Sequence, residues 1–267
     1  MNTTRVARWL LLSIMALMLG AGWWAPCPYD RQFRDQIAAP PSQTHLLGTD
    51  SVGRDRFSRL LYGGRISLFL VPAAATLSVG IALAIALGAA LAGGWRESAA
   101  TALIDLFLSM PWLFLLLAVR ALLPLNAAPW LSVGTTFALL GLLGWPGPAR
   151  VLLAAAHVQL DTAYVLRARA SGCGPLRLAI IHIAPNLAPV AWAQFWTTAP
   201  AYLLAEVNLA LLGLGIAEPL PSWGSLLREL QSLSSISHQP WILVPLGVLI
   251  VTLGCSQVAW KTGDYPT

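Results

Sequence analysis

The sequence predicts an all-α membrane protein with about six transmembrane helices. Three observations carry that expectation. Hydrophobic residues make up 57% of the chain and charged residues only 10%, against roughly a quarter charged in soluble domains. Mean hydropathy is +0.69. The apolar residues also fall in runs of about 20, the length a helix needs to cross a bilayer. The formal charge of +5 is almost wholly arginine, with Lys261 the sole lysine. A basic membrane protein tends to place its cations near the cytoplasmic leaflet. No basic stripe with interleaved aromatics is present, so the bilayer and not nucleic acid is the expected partner. Cys27, Cys173 and Cys255 lie far apart, without disulfide or zinc spacing. The histidines (His45, His157, His182, His238) are equally scattered and read as lone polar residues, so no metal site is expected.

Arg5 and Arg8 precede the first apolar run, Trp9–Trp24. A cleaved signal peptide is the alternative, but Trp23-Trp24-Ala25-Pro26 lacks the small residues such cleavage wants. Residues 1–25 are therefore read as a retained first span with a cytoplasmic N-terminus. A polar segment, 26–66, follows. Asp55 and Arg59 are four apart and can pair on one helix face, with Val52, Phe57, Leu60 and Leu61 on the other. Taken alone, these residues read as an interfacial amphipathic helix anchored by Tyr62 and Arg65.

From residue 67 onward the chain reads as one membrane domain. The second span, Leu68–Leu91, is rich in alanine and glycine, which let helices approach closely in lipid. Arg96 and Glu97 mark a short turn. The third span, about Ala102–Leu123, holds Asp105 and Pro111. After Pro124–Pro129 the fourth span starts near Leu131. Pro146 and Pro148 should kink it, and a further helix runs to about Leu160. The fifth span, Val190–Leu214, carries Glu206 at a depth where an acid is costly. That acid either pairs with a polar group such as Asn208 or faces a pathway. Pro219, Pro221 and Trp223 suit a rigid re-entrant or gating loop with tryptophan at the membrane interface. The last span, Trp241–Val258, ends near Lys261 and a short tail at Gly263-Asp264.

The stretch 161–189 is not built for lipid. It carries Arg167, Arg169 and Arg177 and is broken at Gly172-Cys173-Gly174-Pro175. Asp161 or Thr162 can cap a helix running to about Ser171. Gly172 suits the position just past a helix end, and Pro175 the first turn of the next helix. That second helix, Leu176–Ile183, should end before Pro185. The plain alternative is a solvated connector.

A resemblance changes that balance. Tyr164, Val165, Ala168, Arg169, Ala170, Gly172, His182, Ile183, Pro185 and Asn186 resemble the cytoplasmic EAA loop of ABC-importer permeases, in the version of the dipeptide/oligopeptide/nickel family. The family's Glu-Ala-Ala core reads Leu166-Arg167-Ala168 here, and its leucine before the proline is Ala184. A second string resembles the same family's G-T-D-x-x-G-R-D segment. It matches at Gly48, Thr49, Asp50, Gly53, Arg54, Asp55, Ser58, Arg59, Leu60, Gly63, Arg65, Ser67 and Leu68. Asp105 with Pro111, then Trp145, Gly147, Ala149 and Arg150, also fit, although a second family arginine is Leu153. Leu212-Gly213-Leu214-Gly215 and Pro219-Leu220-Pro221-Ser222-Trp223-Gly224 complete the match.

The resemblance implies a non-enzymatic, multi-pass permease subunit of an ABC importer in the inner membrane, for peptides, nickel chelates or similar solutes. It implies three kinds of partner chain: a homologous permease, two ATP-binding cassette subunits and an extracytoplasmic substrate-binding protein. It assigns ATPase coupling to Tyr164, Leu166, Arg167, Ala168, Arg169, Gly172, His182 and Pro185 in a cytoplasmic coupling-helix loop. Glu206, Pro221 and Trp223 become pathway or gate candidates. No cofactor is expected, because ATP would sit on the partner subunits and no G-x-x-x-x-G-K-[ST] loop is present. Both termini would be cytoplasmic and residues 26–66 external. Arg31, Arg34, Arg54, Arg56, Arg59 and Arg65 would then lie outside, against the positive-inside tendency. The alternative is an ATP-independent secondary transporter or channel, which should show paired intramembrane charges and internal repeats. A membrane enzyme finds no supporting Ser/His/Asp, H-E-x-x-H or paired-carboxylate spacing.

Overall fold

A computed structural model describes residues 3–123, 128–231 and 237–259. Among the described residues the regular elements are helices, joined by loops with two isolated β-bridges, Gln32 with Arg54 and Thr49 with Asp55. That is the expected answer to lipid, which offers no partner for a free N–H or C=O. Four stretches are long and apolar enough to cross a membrane: Arg56–Ala92, Pro129–Leu160, Pro175–Leu211 and Pro240–Ala259. A fifth crossing arises if Gly94–Ser109 and Trp112–Ala121, bent by 83°, form one broken span. Helix α1 (Thr3–Leu19) has 17 residues, about 25 Å of helix against a hydrocarbon core of roughly 30 Å. It ends at Gly20, and a short α2 (Ala21–Trp24) completes the predicted first run. Lys261 and the Gly263-Asp264 tail lie outside the described residues, as does most of the Pro124–Pro129 connection.

The chain divides into two compact units. The first comprises Met1–Val71, Leu123–Thr136 and Pro200–Thr267. In it, α1 packs along the last helix, α12 (Val244–Ala259). The Arg8 Nε–H donates to the Ala259 carbonyl at 2.8 Å. A cation there complements the carbonyl end of α12. The contact brings the start of α1 to the end of α12, so the two helices run antiparallel. The polar segment that opens at residue 26 also belongs to this unit. It is an irregular layer and not a helix: the helix begins only at Arg56, as α3 (Arg56–Ala92). The amphipathic helix expected there is therefore the first turns of the second span, which continues unbroken through Pro72.

The second unit comprises Pro72–Leu122 and Phe137–Ala199. The second half of α3, α4 (Gly94–Ser109), α7 (Pro146–Leu160) and the start of the stretch at Pro175 share its core. Ala82, Ala86, Ala89 and Ala90 of α3 meet Ile104, Ala149, Leu152 and Ala156 there. Small side chains permit that approach, as the alanine-rich span predicts. Leu153, where the family carries an arginine, is a buried core residue. An ion pair, Arg150 to Asp105 at 2.9 Å, and a polar contact, His157 Nε2 to Glu97 at 2.9 Å, clip α4 to α7. Asp105 is thus a half-exposed paired acid, and its two motif fragments meet in space.

The strongest bend differs from the one expected. Pro146 and Pro148 sit in the first turn of α7, where a missing N–H costs nothing. The ladder is interrupted only at Gly144-Trp145 between α6 (Pro129–Leu143) and α7. The 83° break falls at Met110-Pro111, between α4 and α5 (Trp112–Ala121). There the proline follows a helix instead of opening one, and Met110 is extended as a pre-proline residue must be.

Close packing in the first unit is testable at Gly224. A Cβ there would lie 2.6 Å from the Ala210 Cβ and 2.9 Å from Glu206 Oε1. Gly224→Ala should lower the thermal unfolding midpoint in detergent through a loss of about 1–3 kcal/mol. Gly147→Ala, where a Cβ meets nothing within 4 Å, should leave it unchanged or raise it.

Candidate functional site

Two sites emerge, one in each unit. In the first unit the G-T-D-x-x-G-R-D string folds as a charge-stapled loop. Gly48 and Gly53 have φ of +66° and +82°, and a Cβ on either would strike the carbonyl of Ala39 or Phe33. The Thr49 hydroxyl donates to the Gln36 carbonyl and accepts from the Ala39 N–H at 2.9 Å. Asp50, 1% exposed, accepts from the N–H of Val52 at 3.0 Å and of Arg54 at 2.8 Å. Its second oxygen accepts from Arg54 Nε at 2.7 Å. Asp55 caps α3, its carboxylate accepting the Ser58 N–H at 2.7 Å. The other Asp55 oxygen meets His45 Nδ1 at 2.9 Å.

The expected Asp55–Arg59 pair does not form. Asp55 precedes the helix, so its side chain turns to the free N–H groups of the first turn and to His45. Arg59, 2% exposed, reaches Glu218 instead, with Nη2 at 3.0 and 3.1 Å from the two carboxylate oxygens. Arg54 Nη1 also donates to Glu218, at 2.7 Å. Burial opposes the Arg54 charge, but Asp50 and Glu218 outweigh it and its pKa rises. Arg56 pairs with Glu229 at 2.9 Å; burial pushes that carboxyl up and Arg56 partly restores it. Arg54, Arg56 and Arg59 are thus each paired with Glu218 or Glu229, acids that the motif itself does not contain, and Arg54 with Asp50 as well. Arg65 is exposed on α3.

Glu218 sits on the loop after α10 (Ala184–Leu211). That helix ends in a Schellman closure, with Gly213 at φ +78°, its N–H on the Ala210 carbonyl and the Leu214 N–H on Leu209. After Pro221, Ser222 opens α11 (Trp223–Leu227) with a capping box to Ser225. Trp223 is not at an interface. It is fully buried, with Nε1 3.4 Å from the Leu60 carbonyl and its ring beside Gly64. Pro221 is buried too. Glu206 lies under this turn, fully buried against Ser222 and Gly224, neither aligned well enough for a full hydrogen bond. Its neighbours are therefore these two and not Asn208.

In the second unit the elbow has the predicted corner. Helix α8 (Ala163–Ala170) closes with the Gly172 N–H on Arg169 and the Cys173 N–H on Ala168, at 3.0 and 3.1 Å. Gly172 has φ +81° and open space where a Cβ would stand. Pro175 opens α9 (Pro175–Arg177). Two expectations are corrected. The Thr162 side chain does not cap α8; its hydroxyl donates to the Gln159 carbonyl. The second helix does not stop before Pro185. It widens into a π turn, Leu178–Ile183, and runs on as α10. The wide turn accommodates the proline, and the Asn186 side-chain amide donates to the His182 carbonyl at 2.7 Å, with the Tyr164 hydroxyl also on it at 3.3 Å. Tyr164, Leu166, Arg167, Arg169 and Pro185 are exposed, and Ala168 and His182 half-buried.

Residues 79–259 match the family described as binding-protein-dependent transport system inner membrane component. The chain belongs to that family. Its relatives include the di/tripeptide transport system permease protein DppC of Pseudomonas aeruginosa, 31% identical over 91% of this chain and 79% of the relative. The oligopeptide transport system permease protein OppC of Bacillus subtilis is 29% identical over 91% and 78%. OppC of Mycobacterium bovis is 29% identical over 90% and 79%. The permease is thus an ABC-importer membrane component of the peptide-family type, a transport protein and not an enzyme.

Sequence reasoning missed Glu218, Glu229 and His45. The signal for the two glutamates was the surplus itself: the six arginines of segment 26–66 need counter-charges, and the stretch between positions 211 and 231 supplies two carboxylates. Asp50→Ala would leave Arg54 with Glu218 alone and two backbone N–H groups unpaired. It should cost about 3 kcal/mol, read as a lower unfolding midpoint in detergent. An unchanged midpoint would show the cluster to be ornamental.

Proposed function

We propose that this chain is one of two homologous membrane subunits of an ATP-driven importer of short peptides, with nickel chelates and similar solutes as the alternative cargo class. The peptide reading rests on the names of its relatives, di/tripeptide and oligopeptide permeases. The observation that carries the mechanism is the elbow: an exposed corner at Gly172 leading, after Pro175, into 37 residues of continuous helix.

In this reading the elbow lies in the cytoplasm and sits on one of two ATP-binding cassette subunits. Closure of those subunits on ATP carries the corner with them. The corner is closed by its own backbone hydrogen bonds, so it moves as a body and turns the helix that follows. The protein binds no ATP and needs no cofactor of its own; nucleotide stays with the partners. An extracytoplasmic binding protein delivers cargo to the outer face. There the Asp50–Arg54–Glu218–Arg59 cluster would give it a rigid surface. Glu206, Pro221 and Trp223, packed in one buried joint beside that cluster, would hold the outer loop in its closed position. Both chain termini would be cytoplasmic, in line with the start of α1 meeting the end of α12.

Reconstitution with the partner chains tests the lever. A β-branched residue resists positive φ, at a cost of about 1–2 kcal/mol, while asparagine tolerates it. Gly172→Val should leave ATP hydrolysis running and cut peptide uptake at least about tenfold, whereas Gly172→Asn should retain most uptake. Full uptake by Gly172→Val would remove the elbow from the mechanism.

A further inference from the structure

The elbow has a one-sided charge. No Asp or Glu occurs between Thr162 and Pro189, while Arg167, Arg169 and Arg177 all do. All three are exposed, and among the described residues none forms an ion pair. They are interleaved with apolar side chains that water does not favour: Leu166 is 52% exposed, Leu176 73% and Ile180 60%. Within α8, Leu166 and Arg169 are three apart and share a face; Arg177 and Ile180 have the same spacing beyond the corner. The result is an apolar centre fringed by guanidinium groups.

We infer that this surface docks into a cleft with an apolar floor and an acidic rim on the partner ATPase, the arginines pairing with Asp or Glu side chains of that rim. The inference rests on the functional reading above and adds the polarity of the contact. Interfaces bury an apolar patch within a polar border and favour arginine in it. A planar guanidinium pairs with carboxylates through two parallel hydrogen bonds. A basic socket would repel Arg167, Arg169 and Arg177. An anionic lipid surface is the rival occupant. It would neutralise the arginines but would not require the closed corner at Gly172 that holds the two short helices in one shape.

The test uses the full complex, expressed with its ATPases and purified in detergent. Arg167→Glu combined with Arg169→Glu should reduce retained ATPase at least about tenfold, because like charges then face each other. Arg167→Lys with Arg169→Lys keeps the charge but not the paired hydrogen bonds, so its loss should be clearly smaller than that of the double-Glu protein. Retention by the unaltered protein should fall as salt rises from about 0.15 M to about 0.5 M. The double-Glu protein must still elute as a single folded species; both sites are exposed, so it should. ATPase retention that ignores both the charge reversal and salt overturns the inference while leaving the importer reading intact. So does a double-Glu protein that keeps its ATPases but loses co-purified phosphatidylglycerol, since the arginines would then serve lipid. If the unaltered chain retains no ATPase, the importer reading itself fails and the polarity falls with it.

Discussion

Lipid leaves a polypeptide no spare hydrogen-bond partner, and among the described residues several helix breaks of this chain are closed by its own groups. Where a helix stops, its end groups are closed locally. The corner at Gly172 and the turn at Gly213 use the same Schellman pairing. Asp55 opens α3 by accepting the Ser58 N–H, and Ser222 opens α11 by exchanging bonds with Ser225. At Pro185, where an N–H is missing, the helix widens into a π turn and the Asn186 amide covers the neighbouring carbonyl. The breaks therefore have defined shapes, and defined shapes are what a transport machine can push on.

The same economy governs charge. The segment before α3 is rich in arginine, and the first unit makes Arg54, Arg56 and Arg59 structural. Asp50 holds Arg54 and two backbone N–H groups, Glu218 bridges Arg54 and Arg59, and Glu229 takes Arg56. A buried cation is tolerated only when paired. These pairs tie the polar segment before α3 to the loop after α10, about 160 residues later. Among the described residues the arginines of the elbow form no ion pair, and that contrast is why the two clusters are assigned different work.

Much of this was legible in the sequence, for physical reasons. Apolar runs fix helices in lipid whatever their neighbours, so the spans were readable, as was the glycine that needs positive φ at 172. The alanine-rich face of α3 was readable because small residues have few other uses there. Partner choice was not. Asp55 and Arg59 have ideal helical spacing, but the helix starts between them, so a cap and a distant glutamate won. The prolines misled in the same way: Pro146 and Pro148 open a helix without strain, while Pro111 follows one and turns it sharply. Trp223 looked like an interfacial anchor because tryptophan usually is one; only its contact with Leu60 and Gly64 reveals a core residue. Glu218 lay in the gap between two recognisable strings, with nothing local to mark it.

The central claim is that the arginine-bearing elbow faces the cytoplasm, where an ATPase can reach it. Cys173, half-exposed beside Gly172, is a native probe for that. With Cys27 and Cys255 replaced by serine, intact cells would be treated with a membrane-impermeant maleimide before and after permeabilisation. The account predicts that Cys173 is labelled only once the membrane is opened. Labelling of Cys173 in sealed cells would put the elbow on the outer surface and contradict it.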